Sequence, residues 1–311
     1  MRKLILFCTS ICAIMLLFSE SPVQAQTVLW VSATGSGSSC TQTSPCATFQ
    51  TAINAGATEV HCLTSGNYGP VTITTSLIID CGSGNVGNIS VSTTNNAITI
   101  NTASAATIIL RHLSLNGSGT AQDAIHTLNF ASGSVTVEDC TIQGWANAGT
   151  NSGGVGIFFG PTAGRGFLQV SNTQSFNNHF GIVVAPQNNE IATVALNRVE
   201  LSGNLFYGIE LQGSIVAGTM RDSIVAGNGS YGVFTTANQV YFTVEGTSLV
   251  ANVGAGVATD SAGSIVNVGG STIGGNGTGV VAFAGSLISF GDNRMSANAV
   301  NGNFTSTTPL R

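Results

Sequence analysis

Residues 200–211 read ELSGNLFYGIEL, residues 224–235 read IVAGNGSYGVFT and residues 248–259 read SLVANVGAGVAT. Aligned, each has a short apolar strand, a small residue followed by Asn, a three-residue link, and Gly followed by Ile or Val. The Asn column extends in both directions as Asn178, Asn204, Asn228, Asn252, Asn276 and Asn298, at intervals of 26, 24, 24, 24 and 22 residues. The Gly-aliphatic column reads Gly181-Ile182, Gly208-Ile209, Gly232-Val233, Gly256-Val257 and Gly279-Val280, with Gly156-Ile157 joining after an insertion at 146–153. Segments 107–117 and 133–144 are earlier, less regular copies.

A period near 24 residues with only short strands means that no copy can bury its apolar face alone. Stacking the copies pairs each strand with its equivalent about 4.8 Å away and closes a continuous core. The fold predicted is all-β, a single right-handed parallel β-helix over 59–304. Strand parity then sorts the side chains: in GIELQ, Ile209 and Leu211 point inward and Glu210 outward. The recurring Asn is read as a structural ladder of side-chain amides stacked along the axis, not as a polar binding track.

Outward from the repeats, ATFQTAIN (47–54) places Phe49, Ala52 and Ile53 at helical spacing. A short helix there would cap the first coil, within an N-terminal segment spanning 26–58. The polar tail 305–311 either caps the last coil or hangs free. Residues 1–25 read as an export leader, with Arg2 and Lys3, an apolar run Leu4–Phe18, and Val23-Gln24-Ala25 as cleavage site. No later run is long and apolar enough to span a membrane.

Of eight basic and thirteen acidic residues, Arg2, Lys3 and Glu20 fall in that leader; the remainder keeps six Arg, no Lys and twelve acids. That balance argues against nucleic acid or anionic lipid as partner. A secreted or periplasmic location makes disulfides reasonable: Cys40 with Cys46 across TQTSP, and Cys62 with Cys81, 19 residues and nearly one coil apart. Cys140, within VTVEDCTI, is expected as a buried free thiol. The cysteines show no CxxC or HxxxH spacing, so no metal site is expected.

The stretch PCATFQTAINAGATEVHCLTSGNYGPVTITTSLIIDC (45–81) resembles the opening of the pectin-lyase-like superfamily, and the later coils resemble its β-helix repeat, together over about 45–304. The Cys-x(5)-Cys opening with Cys62/Cys81 is similar to a group of small exported bacterial β-helix proteins without assigned activity. The resemblance implies the fold and leaves the chemistry open, since the superfamily mixes lyases, hydrolases, epimerases, adhesins and binding proteins.

By that resemblance the Gly-Ile/Val strand forms the cleft, with Phe158, Val183, Glu210, Phe234, Ala258 and Val281 facing out. Glycoside hydrolysis uses two carboxylates across the scissile bond, and this row offers one. His179 sits where the hydrolase group carries a His, although a solvent-exposed turn explains it as well. Lyase chemistry needs a base with positive charge or Ca²⁺; no cofactor is otherwise implied. The acid clusters are Glu138-Asp139, and Asp222 near Glu245. The latter are read as structural ion pairs, Arg198 with Asp222 and Arg221 with Glu245. His61, His112, His126 and His179 fall in separate coils and assemble no triad. Glu210, His179 and Arg198 are therefore the catalytic candidates of an enzymatic reading.

The reading favoured from sequence is a non-catalytic one, binding polysaccharide or a cell surface along one face. Trp145, Phe180, Phe206, Tyr207 and Tyr231 gather just before the Gly-aliphatic strand, adjoining Phe234, and flat rings suit the C–H faces of sugars. The alternative at each position is a ring packed into the turn, preferred for Phe180 and Phe206. Trp145, Tyr207, Tyr231 and Phe234 are the expected ligand contacts.

Overall fold

A computed structural model describes residues 26–308 apart from 83, 120 and 147–152. The leader expected at 1–25 lies outside the described residues. The chain winds into a right-handed parallel solenoid of about nine turns.

Each coil contributes to three faces. The front face holds the Gly-aliphatic strands, among them Val155–Phe159, Phe180–Val184, Ile209–Leu211 and Val233–Thr235. A long face follows, with Arg165–Ser171, Ile191–Asn197, Ile215–Arg221 and Gln239–Glu245. After a sharp corner comes a short face of three-residue strands such as Gln174–Phe176, Glu200–Ser202 and Ile224–Ala226. In the last coils Ala255–Gly269 and Thr278–Ser289 run from front to long face without a break. All pairings between these strands are parallel, and the front-face register runs Ile157, Ile182, Ile209, Val233, Val257, Val280. Every member of that column is at most 1% exposed. Stacked β-branched side chains fill a pleated interior well, so one repeated residue type becomes one continuous wall of core.

The corner between long and short faces needs a residue in the left-handed region. Asp139, Asn172, Arg198 and Asp222 occupy it with φ of 48–53°, followed by Gly246 and Gly270. Gly has no Cβ to clash there and Asn and Asp offset the clash with a short polar side chain, whereas Arg198 pays it in full. The next residue is buried, and at Ser223 and Ser271 its hydroxyl caps the neighbouring coil: Ser223 Oγ accepts from Val199 N at 3.2 Å and Ser271 Oγ from Thr247 N at 3.2 Å.

The turn from short to front face carries the Asn column. Asn204 Nδ2 donates to Asn228 Oδ1 at 2.9 Å, Asn228 to Asn252 at 2.9 Å, Asn252 to Asn276 at 3.0 Å and Asn276 to Asn298 at 2.9 Å. Each Oδ1 also accepts the backbone N–H of the preceding Asn, at 2.9–3.2 Å. Each Nδ2 further donates to a short-face carbonyl. Asn178 joins through its backbone, its N–H donating to Asn204 Oδ1 at 3.1 Å. The column buries four amide valences per coil and satisfies them, which few other side chains could do in that space.

At the N-terminal end, Val28–Val31 pairs with Glu59–Cys62 and so begins the long face. The helix is Phe49–Asn54, capped by Thr48, whose Oγ1 accepts from Thr51 N at 3.1 Å; Phe49 and Ala52 are buried. Disulfides join Cys40 to Cys46 and Cys62 to Cys81, and Cys140 is free and buried. Burial pushes the Cys140 thiol up to about 12. At the other end Ser306–Thr307, within the tail, pairs with Ile288 and Ser289. Among the described residues no helix is long and apolar enough to cross a membrane.

Candidate functional site

Register assigns the outward row of the front face as Thr72, Thr99, His126, Phe158, Val183, Glu210, Phe234, Ala258 and Val281. Parity alone would leave all of them in solvent. Rings from the preceding turn fold over the C-terminal half instead, and Val183, Phe234 and Ala258 are 3%, 8% and 0% exposed. Phe234, Ala255 and Ala258 thus form a small apolar cluster outside the solenoid wall, packed against Tyr207, Tyr231 and Val281.

The rings are contiguous. Tyr207 and Tyr231 stack in parallel, with centroids 5.6 Å apart and planes 5° apart. Phe234 lies beneath both, at 5.0 and 4.8 Å. Phe180 extends the array to one side at 5.5 Å from Tyr207, Phe206 stacks on Phe180 at 5.5 Å, and Phe283 closes the other side 6.4 Å from Tyr231. Tyr207 and Tyr231 are half-buried, while Phe206 and Phe283 are exposed. Such a surface offers flat apolar ground edged by phenolic hydroxyls.

Glu210 lies in register between Val183 and Phe234. Among the described residues its carboxylate has no hydrogen-bond or ion-pair partner. Burial pushes its pKa up to about 7. Burial also raises the Tyr207 phenol, with the Glu210 charge adding to it. A carboxylate held against apolar groups without a partner costs stability, and such groups concentrate at functional sites.

Several expectations need correction. Trp145 is fully buried and is no ligand contact. Gly144, left-handed at φ 75°, delivers it into the Asn column, where Trp145 N donates to Asn178 Oδ1 at 3.1 Å and its indole Nε1–H to Leu115 O at 3.3 Å. It fills the core under Gly117, where a Cβ would come within 2.6 Å of the indole. Phe234 is the floor of the aromatic cluster and not its surface. Phe206, expected to shield the core, is exposed instead.

His179 is not a solvent-exposed turn residue: it is 5% exposed. Its Nδ1–H donates to Gly153 O at 2.9 Å, its backbone N–H donates to Trp145 O at 2.7 Å, and its ring touches Phe180 and Phe206. It pins the chain across the insertion. Arg198 lies at the opposite corner, between long and short faces, where its Nε donates to Asn172 Oδ1 at 2.7 Å. The expected Arg198–Asp222 pair is absent: Arg198 turns to Asn172, and Asp222 Oδ1 lies beside the bare Cα of Gly246. Arg221 and Glu245 do pair, at 3.1 Å. Glu138 pairs with Arg111 at 2.9 Å, and Asp139 lies 3.8 Å from His112 Nε2. The three catalytic candidates are therefore not brought together.

Two features escaped the sequence reading. Phe283 is two residues beyond Val281, so strand parity could have found it. The second is a partly exposed histidine on a buried carboxylate: Asp123 Oδ2 lies 2.6 Å from His126 Nδ1, and Asp123 is 0% exposed.

No family profile matches the chain, and no curated protein does. Among solved structures, pectate lyase Pel9A aligns over 92% of this chain and 79% of its own, with a TM-score of 0.66 at 14% identity. The chain shares the right-handed parallel β-helix fold of that lyase. The A-module of the Azotobacter vinelandii mannuronan C-5 epimerase AlgE4 aligns over 84% of this chain and 93% of its own, with TM-score 0.43 and 16% identity. The Dettilon tailspike protein aligns over 86% of this chain and 68% of its own, with TM-score 0.44 and 10% identity. At those scores neither bears on the site, and the lyase likeness speaks to the fold alone.

Proposed function

We propose that this is an exported protein that holds a polysaccharide against its front face, with Tyr207, Tyr231 and Glu210 as the principal contacts. The parallel tyrosine pair beside a partnerless carboxylate carries the reading. Stacked rings supply a platform for sugar C–H faces, and the half-buried carboxyl supplies a directional partner for hydroxyls. The two disulfides fit an oxidising compartment. A second reading, hydrolase or lyase, draws on Glu210 alone, whose raised pKa suits a general acid. The row positions flanking Glu210 are Val183 and Phe234, so the second carboxylate of a hydrolase has no place beside it.

The test is a panel of acidic and neutral polysaccharides, scored for binding, reducing ends and unsaturated-uronate absorbance, with and without Ca²⁺. Binding without cleavage, weakened about tenfold or more in Tyr207→Ala and Tyr231→Ala, is expected; tenfold corresponds to about 1.4 kcal/mol. Cleavage that disappears in Glu210→Gln would establish the second reading instead.

A further inference from the structure

We propose that Asp123, His126 and the groove beside them form a second subsite on the front face, one that hydrogen-bonds the hydroxyls of a neutral sugar unit. Resting on the polysaccharide reading above, it makes the ligand a neutral chain lying along the solenoid axis. His126 shares the outward row with Glu210, three rungs away, about 14 Å at 4.8 Å per rung.

The argument starts from the buried carboxylate. Asp123 Oδ1 accepts the Val155 N–H at 2.8 Å, which ties its strand to the next coil. That structural task uses one oxygen. The other faces His126 Nδ1 at 2.6 Å. A carboxylate accepts, so Nδ1 carries the hydrogen, and in the neutral imidazole Nε2 is then the acceptor. The imidazole lies flat on Phe158, centroids 4.7 Å apart and planes 10° apart, so its rotation is fixed as well as its tautomer. The side chain remains 21% exposed, and Nε2 has no partner among the described residues. A ring nitrogen held in place on an outer row, by a carboxylate with no exposure at all, is more than a strand position requires.

Beside it lies a groove of about 410 Å³ whose polar lining, Gln50, Thr72, Asn95, Asn96 and Thr99 among it, is uncharged, with Pro70 and Val71 as apolar wall. Thr99 is the register neighbour of His126. Asn96 links groove and pair: its Oδ1 accepts the Asp123 N–H at 3.1 Å and its Nδ2 donates to Thr99 Oγ1 at 3.2 Å. The Thr99 hydroxyl is thereby left to donate outward. None of the five described arginines, at 111, 165, 198, 221 and 294, lies on a front-face strand. A uronate would surrender hydration here without a cation to receive it, whereas hydroxyls match what the groove offers.

The experiment measures affinity of the leaderless protein for hydroxyethylcellulose, galactomannan, xylan and polygalacturonate, and for short and long oligosaccharides of whichever neutral polymer binds. Variants are His126→Gln, which can still donate to Asp123, Thr99→Val, which leaves the pair intact, and Tyr231→Ala. The expected result is neutral binding without polygalacturonate binding. His126→Gln and Thr99→Val should each lose about tenfold for long chains and nothing for oligomers too short to reach past Tyr231 and Glu210. Tyr231→Ala should lose both. Long-chain affinity unchanged in His126→Gln and Thr99→Val, with Tyr231→Ala still impaired, overturns this subsite and leaves the aromatic face standing. Equal binding of polygalacturonate overturns the neutral selection. Loss in His126→Gln and Thr99→Val with none in Tyr231→Ala upholds the subsite and removes the aromatic reading. No binding by the wild type removes both.

Discussion

Glu210→Gln keeps the shape of the side chain and removes its titration, which turns the burial of this carboxyl into a measurable difference. The folded-state pKa is about 7 against an ordinary 4.5. Between those values the native protein holds a proton that the unfolded chain has released, so the native state binds more protons and wild-type stability falls as pH rises through the window. At about 1.4 kcal/mol per unit the full shift amounts to roughly 3 kcal/mol, reduced to about 2 kcal/mol because the carboxyl retains some contact with water. The wild type should therefore match Glu210→Gln near pH 4 and be less stable by about 2 kcal/mol at pH 8. For a chain of this size that is roughly 3 °C in melting midpoint. Thermal unfolding of both proteins at pH 4, 6 and 8 reads it directly, since all other titrating groups are shared and cancel in the difference. A variant no more stable than wild type at pH 8 would refute the claim that Glu210 is held, partnerless, in an apolar setting.

Asn252→Leu should cost about 3–5 kcal/mol by urea denaturation, because it orphans the Asn228 N–H and removes bonds to Asn276 Oδ1 and Val225 O; Asn298→Leu, half-buried at the end of the column, should cost less. Converting Cys62 and Cys81 together to Ala, across a separation of 19 residues, should lower stability by about 3 kcal/mol in the same assay. Cys140 should resist a thiol-specific reagent at pH 8 in the native protein and react on unfolding, since its thiol is wholly buried and pushed up to about 12.

The repeating parts of this molecule were legible because a solenoid forces equivalence on equivalent positions. An Asn ladder works only if the same amide returns in each coil, so the interval from Asn178 to Asn298 is visible in the chain itself. The inward Gly-Ile/Val column and the outward row Phe158 to Val281 follow from the same register and from strand parity. Breaks in the repeat hid everything else. Trp145 reads as one more turn aromatic until the coil is counted across the insertion at 146–153, when it falls into the Asn column and turns indoors. Asp123 and His126 are three apart, which in a regular strand means opposite faces; Asp123 opens its strand, and the side chains meet there. Arg198 and Asp222 do share a column, yet each left-handed corner aims its side chain separately, and Arg198 finds Asn172.

Glu210 shows the division most plainly. The sequence by itself determined that its carboxylate faces out from the front wall, because alternation and coil length decide that. Whether outward means wet was decided by Tyr207, Tyr231 and Phe234, whose rings come from its own turn and the next coil and close over the row. Periodicity specifies direction along the backbone, but shielding from water depends on how large side chains from neighbouring coils pack together, and that exists only once the coils are stacked.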